Sequence, residues 1–241
     1  MKLNHAIITK GRIDYQQTAK IIDCPIFCPE SEKKALSSKF LKREIITYPD
    51  QVKGLNRVRN FVLNYYENQP CFIYDDDIEG LYYVALPKAV KTIGTMKEVI
   101  DGIFVICRDI DCKVFGVSRV NTNVMMYSKT NPFSLCGSLS GGIGIIGGRK
   151  FRDDLVCKID VNHCMEEINL NRRLFIDNRY SFLQKISTNT GGNSAYRTSD
   201  QIEKEIKILR NTWGGQIRLS SYKSCQKTAV GIINKQRFDL L

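Results

Sequence analysis

Three consecutive carboxylates, Asp75-Asp76-Asp77, directly follow the apolar run Cys71-Phe72-Ile73-Tyr74. Charges this close repel one another, and a short buried strand gains nothing by ending in them. One account is a solvated turn or helix cap. A second is a bound Mg²⁺ or Mn²⁺, which takes hard oxygen ligands, typically one or two carboxylates together with substrate phosphates. A third is a two-metal phosphoryl-transfer site. Basic residues bear on the choice. Arg57, Arg59 and Asn60 lie just ahead of the acidic run, and Lys10 and Arg12 follow the first apolar run of the chain. Guanidinium groups match phosphate oxygens in bidentate geometry. Carboxylates, a metal and arginines around one crevice describe a diphosphate site better than a nuclease site.

The elements that would position these groups follow from the hydrophobic pattern. Ala6–Thr9, Pro25–Cys28, Ile45–Thr47 and Cys71–Tyr74 are short apolar runs bounded by turn residues, as expected of buried strands. Polar segments of helical length, Asp14–Ile22 and Ser31–Phe40, lie between them. Over Gln51–Tyr66, Leu55, Val58, Val62 and Tyr65 recur at helical spacing, which predicts an amphipathic helix packed on a sheet. Strand–helix alternation of this kind predicts an α/β fold, a single Rossmann-like domain with a mostly parallel central sheet flanked by helices. Ligands of such sheets bind outside the carboxyl ends of the strands. Thr9-Lys10-Gly11-Arg12 and Asp75-Asp76-Asp77 both occupy such ends.

The second half is less regular. A helix is expected over Thr95–Ile106 and a strand over Lys113–Val117. The glycine-rich segment Gly137–Gly148 alternates like a strand flanked by close backbone approaches. It lacks GxxxxGK[ST] and is not an ATP loop. Thr198-Ser199-Asp200-Gln201 reads as a capping-box-like start, after which Ile202, Ile206, Leu209 and Trp213 share one helical face and Gly214 closes it. Cys24 and Cys28 have no second pair at matching spacing, so a zinc site is rejected. His163, one of two histidines, is either a metal ligand or a structural imidazole.

Bulk properties narrow the classes. The chain has 241 residues, 43% hydrophobic and 25% charged, which is an ordinary globular composition. No apolar run approaches the roughly 18 residues of a membrane span, and no signal-peptide pattern opens the sequence. Nine cysteines, an odd number, predict free thiols in a reducing cytoplasm. The net charge of +11 favours a polyanionic partner or an anionic substrate. Residues 197–241 carry nine Lys/Arg (Arg197, Lys204, Lys207, Arg210, Arg218, Lys223, Lys227, Lys235, Arg237) against four acids (Asp200, Glu203, Glu205, Asp239). That surplus suits a phosphate backbone.

The order strand–ThrLysGlyArg, helix with ArgAsn, strand–AspAspAsp resembles the nucleotide-binding half of GT-A glycosyltransferases. Cys164-Met165-Glu166-Glu167-Ile168-Asn169 is similar to the acidic xED motif of that fold. Asn189–Arg197 and the helix to Trp213-Gly214 resemble one subgroup, the TET/JBP-associated glycosyltransferases of phages and base-J-making kinetoplastids, which glycosylate hydroxymethylated DNA pyrimidines. The resemblance runs from Ile7 to Trp213.

It implies that Thr9, Gly11 and Arg12 hold the nucleotide of the donor and that Arg59 and Asn60 help place nucleotide and diphosphate. Asp75 would contact ribose or sugar, with Asp76 beside it, and Asp77 would ligate Mn²⁺ or Mg²⁺ with Asp75 as a second ligand. Glu167, or else Glu166, would be the acidic residue facing the acceptor. Residues 1–80 would form the nucleotide half and 81–241 the acceptor half, ending in a basic helical segment. The expected activity is metal-dependent transfer from a UDP-sugar to a hydroxymethylated pyrimidine in double-stranded DNA, with no membrane partner. A protein, glycan or small-molecule acceptor, a nucleotidyltransferase and an inert DNA-binding domain remain as alternatives.

Overall fold

The computed structural model describes residues 1–83, 90–91, 95–118, 132–139, 141–184, 192, 198–220 and 229–232. The four apolar runs of the first half form strands β1 (Asn4–Ile8), β2 (Ile26–Pro29), β3 (Ile45–Tyr48) and β4 (Cys71–Asp75). They pair in parallel in the order β3-β2-β1-β4. β1 thus lies where the strand order reverses, the position at which open parallel sheets bind their ligands. Helix α1 (Lys33–Lys39) links β2 to β3, and α2 (Leu55–Tyr65) links β3 to β4.

The sheet continues through β5 (Ile78–Tyr83), β6 (Val90–Lys91), β7 (Val114–Ser118), β8 (Phe133–Ser134), β9 (Gly142–Ile145) and β10 (Phe175–Gln184). The full order is β3-β2-β1-β4-β9-β7-β10-β5-β6, with β8 beside β10. β9 runs antiparallel to both β4 and β7, so β7 and β10 point the same way as β1–β4. The result is an α/β fold with a mostly parallel, mixed central sheet flanked by helices. No helix of the described residues is long and apolar enough to cross a membrane.

Two cores cover the two faces. On one, α2, α4 (Ile159–Asn171) and α5 (Ser199–Trp213) bury Val58, Val62, Leu63, Ile168, Ile206 and Leu209 against Ala6, Ile8 and Ile73. On the other, α1 and α3 (Met96–Asp109) bury Leu36, Ile100, Ile103 and Phe104 against Ile7, Phe72, Tyr74 and Phe115. Each fully buried Leu, Ile or Val contributes about 2 kcal/mol from its apolar area. Thr95 and Glu98 form a reciprocal capping box that starts α3. Thr198 accepts from the Gln201 amide at the start of α5.

The glycine-rich strand has a packing cause. A Cβ at Gly142 would stand 2.6 Å from the Phe72 ring, and one at Gly144 would stand 2.3 Å from Phe115. The aromatic rings of the flanking strands therefore lie over β9, while Ile143 and Ile145 fill the opposite core.

One expectation is corrected. The polar segment Asp14–Ile22 forms only a 3₁₀ turn at Thr18–Lys20, because the buried side chains of Gln16 and Thr18 are committed to the neighbouring loops rather than to a helix. Beyond α5, the described residues form a 3₁₀ turn at Gly214–Gln216 and then pair as β11 (Ile217–Ser220) and β12 (Ala229–Ile232) in a separate antiparallel sheet. Of the C-terminal basic residues, Lys204, Lys207 and Arg210 lie on the exposed face of α5. Arg197, Lys223, Lys227, Lys235 and Arg237 lie outside the described residues.

Candidate active site

The loop after β1 and the turn after β4 meet at the carboxyl rim, because parallel pairing places Ile8 opposite Asp75. Thr18 locks the acidic turn by its backbone. Its hydroxyl donates to the Asp75 carbonyl at 2.6 Å and accepts from the Ile78 amide at 2.9 Å, and its amide donates to the Asp76 carbonyl at 3.1 Å. Thr9 Oγ1 donates to Asp76 Oδ2 at 2.6 Å and accepts from Gln16 Nε2 at 2.6 Å. Tyr48 reaches across β2 to donate to the Thr9 carbonyl at 2.9 Å.

Two guanidinium groups relieve the crowding of the three carboxylates. Arg12 Nη1 bridges Asp76 Oδ1 at 2.6 Å and Asp77 Oδ2 at 3.1 Å. The other oxygen of Asp77 accepts from Gln184 Nε2 at 2.6 Å, at the end of β10. Arg59, fully buried on α2, reaches Asp75 at 3.4 Å from Nη2 and Asp160 from Nη1. Its guanidinium also lies over the Phe151 ring, 5.3 Å from the centroid. Burial pushes the Asp76 carboxyl up to about 7, against the pull of Arg12 and Thr9. Burial also raises Asp75, with Arg59 opposing and Asp77 and Asp160 adding to the rise.

The predicted residues divide into two groups. Thr9, Arg12, Arg59, Asp75, Asp76 and Asp77 come together at one rim. Gly11 is there too, at φ +68°, its amide donating to Glu32 at 2.7 Å. Asn60 does not point at the rim. Its side chain clamps both backbone groups of Phe151, donating to the carbonyl at 2.9 Å and accepting from the amide at 2.7 Å. Arg57 is an exposed residue 4.0 Å from Asp153.

The two glutamates of α4 hold partners outside the acidic turn. Glu167 is fully buried, accepts from Asn171 Nδ2 at 2.8 Å and lies 3.7 Å from Arg149. Arg149 follows β9 where that strand leaves the sheet beside the start of β4. Asp160, not Glu167, occupies the end of α4 near the acidic turn, and the seven-residue step from one to the other spans about 10 Å of helix. Glu166 accepts from Asn162 Nδ2 at 2.8 Å, and Asn162 in turn accepts from Trp213 Nε1 at 3.0 Å. His163 is buried and stacked on Phe151 at 4.2 Å; burial and the nearby Arg59 and Arg149 bring it down to about 3.

Three site residues were not anticipated. Gln184 had no distinguishing neighbours in the sequence. Asp160 opens a helix, where carboxylates are common for dipole reasons alone. Glu205 did carry a signal, since it falls on the apolar face with Ile202, Ile206 and Leu209. It is fully buried and accepts from the consecutive amides of Val156, Cys157 and Lys158 at 2.8–3.0 Å, fixing the entry to α4 and hence the position of Asp160. Of the Asn189–Arg197 motif, only Gly192 lies within the described residues. Its amide donates to the Lys10 carbonyl at 2.8 Å, and a Cβ there would lie in ordinary contact with the Arg12 guanidinium at 3.4 Å.

Among the described residues, no group of three His, Cys, Asp or Glu side chains could hold a metal ion. Asp76 turns inward to Thr9 and Arg12, whereas Asp75 and Asp77 retain 28% and 14% side-chain exposure. That donor set does not cage an ion. It fits a dication carried chiefly by the phosphates of a substrate, as Mg²⁺ often is.

No family model and no curated protein matches the sequence. Among solved structures, S. aureus TarS 1-349 in complex with UDP is similar at 11% identity and a TM-score of 0.47, covering 76% of this chain and 59% of that one. UDP-glucose pyrophosphorylase complexed with UDP-glucose is similar at 10% identity and a TM-score of 0.40, covering 77% of this chain and 92% of that one. The chain spans about three-fifths of the length of the TarS structure. Such values describe a loosely shared arrangement of sheet and helices and carry no assignment of activity.

Proposed function

We propose that the protein is a glycosyltransferase that binds a nucleotide sugar at the rim formed by β1 and β4. The observation supporting this reading is the convergence of Arg12 and Arg59 on Asp75, Asp76 and Asp77 at the strand-order reversal. The sequence order of these motifs resembles that of GT-A enzymes. On this reading Thr9, Gly11 and Arg12 line the nucleotide side, and Asp75 faces ribose or sugar. Glycosyl transfer places positive character on the sugar and negative charge on the departing diphosphate. Arg12, held between Asp76 and Asp77, would supply fixed positive charge at the rim beside that diphosphate. Asp77, with Asp75, would hold a Mn²⁺ or Mg²⁺ ion; when bound, such an ion stabilises the charge of the leaving group.

The acceptor we propose is a hydroxymethylated pyrimidine in DNA. The net charge of +11 and the exposed Lys204, Lys207 and Arg210 of α5 support a polyanionic partner. A base within a duplex must be flipped out to bring its hydroxyl to the anomeric carbon. The test is incubation with UDP-glucose, Mn²⁺ and duplexes containing hydroxymethylcytosine or hydroxymethyluracil, read by mass spectrometry. A hexose mass gain on DNA with release of UDP is expected. Release of pyrophosphate would instead identify a nucleotidyltransferase. Failure to bind UDP by calorimetry would overturn the proposal altogether.

A further inference from the structure

Asp75 and Asp160 sit on either side of one buried guanidinium, that of Arg59. One comes from the end of a central strand and the other from the first turn of α4. Both keep an open edge, with 28% and 27% side-chain exposure, whereas Arg59 has 1%. An ion pair whose cation is sealed and whose two anions both reach the surface presents carboxylate oxygen outward at one spot.

Asp160 is held there with some care. Glu205, at the α5 position facing α4, accepts from the three amides leading into the helix. Gln201 Nε2 also donates to Glu205, at 2.7 Å. Phe151 backs the Arg59 guanidinium, and Asn60 clamps the Phe151 backbone at both polar groups. Each of these devices restricts where the Asp160 carboxylate can be. A simple surface ion pair requires none of them, because such pairs contribute little.

We propose that Asp160 is the catalytic carboxylate that accepts the proton of the attacking acceptor hydroxyl. This rests on the glycosyltransferase reading above. In the step, the acceptor oxygen forms a bond to the anomeric carbon as its proton passes to an Asp160 oxygen. The bond from the anomeric carbon to the diphosphate breaks, and its electron pair leaves with the nucleoside diphosphate. Asp75 stays on the donor side of Arg59, and the shared guanidinium keeps the two carboxylates apart in role. Glu166 and Glu167 have no part in the proton transfer, since neither reaches this spot.

The test compares wild type, Asp160→Asn and Asp160→Glu in the UDP-glucose and hydroxymethylcytosine-duplex assay, with UDP affinity measured separately by calorimetry. Asparagine keeps an oxygen for Arg59 but cannot take the proton. The expected result is a kcat lowered at least 100-fold in Asp160→Asn with UDP affinity and KM for UDP-glucose within threefold of wild type, and partial recovery in Asp160→Glu. Transfer by Asp160→Asn within threefold of wild type would overturn the inference and leave the function standing. Loss of UDP affinity in parallel with rate would also overturn it, because Asp160 would then be only the anchor of Arg59. Failure of wild type to bind UDP would remove both proposals.

Discussion

Arg12 Nη1 donates to Asp76 Oδ1 at 2.6 Å, joining the loop after β1 to the turn after β4. The pair is largely buried, with side-chain exposures of 14% and 5%. Removing the cation strands an inward carboxylate, which typically costs about 3 kcal/mol. Arg12→Ala is therefore expected to lower stability by roughly that amount in urea unfolding, and to weaken UDP binding at least tenfold by calorimetry. Arg12→Lys keeps the charge but loses the fork and recovers only part of either. An unchanged unfolding midpoint in Arg12→Ala would show that the bridge does not hold the turn.

Thr18 offers a test of the same turn without touching any charge. Its hydroxyl serves the Asp75 carbonyl and the Ile78 amide at once. Thr18→Val preserves shape and leaves both backbone groups short of a partner, at a cost of about 2 kcal/mol. Thr18→Ser should stay near wild type. Equal stabilities for valine and serine variants, by urea titration, would contradict this account.

Two glycines should respond in opposite directions. Gly144 lies beneath the Phe115 ring, and an added Cβ would stand 2.3 Å from it. Gly144→Ala is expected to destabilise by about 2 kcal/mol through overpacking. Gly102 lies within α3 with open space around an added Cβ. Gly102→Ala should stabilise by up to about 1 kcal/mol, because it restricts the unfolded chain and favours helix. Thermal or urea unfolding of the two variants reads both signs directly.

Strands ending in charged residues were legible in the sequence because short apolar runs followed by charges admit few other readings. The rim cluster of Thr9, Arg12, Arg59 and Asp75–Asp77 could be assembled from that pattern alone. How the charges are neutralised could not. Whether Arg59 points toward Asp75 or into solvent depends on Phe151 and Asp160, both distant in the chain and brought in by α4 packing. Which end of α4 faces the rim was illegible for the same reason: it depends on where β9 inserts, and an antiparallel strand of alternating Gly and Ile carries no label for its neighbours.

His163 makes a pH prediction. Its folded value, about 3, lies below the ordinary value of 6.5, chiefly through burial. A group depressed in this way stabilises the fold fully above the unfolded value. That stability is lost as pH falls from 6.5 toward 3, at up to about 1.4 kcal/mol per pH unit. Asp76, raised to about 7, works in the opposite direction over part of this range. The readout is therefore the difference between wild type and His163→Gln in urea unfolding between pH 7 and pH 4.5. The wild type should lose more stability than the variant on acidification, and parallel curves would mean that His163 titrates normally.

The insertion of β9 between β4 and β7 bears on how the molecule can be divided. A fragment ending at residue 83 would keep β1–β4 but strip the partner from the outer edge of β4, baring unpaired amides and carbonyls along Cys71–Tyr74. Such an edge invites intermolecular pairing. The first four strands are thus chaperoned by residues that arrive much later from the ribosome, and expression of that portion alone should yield aggregate rather than a small soluble nucleotide binder.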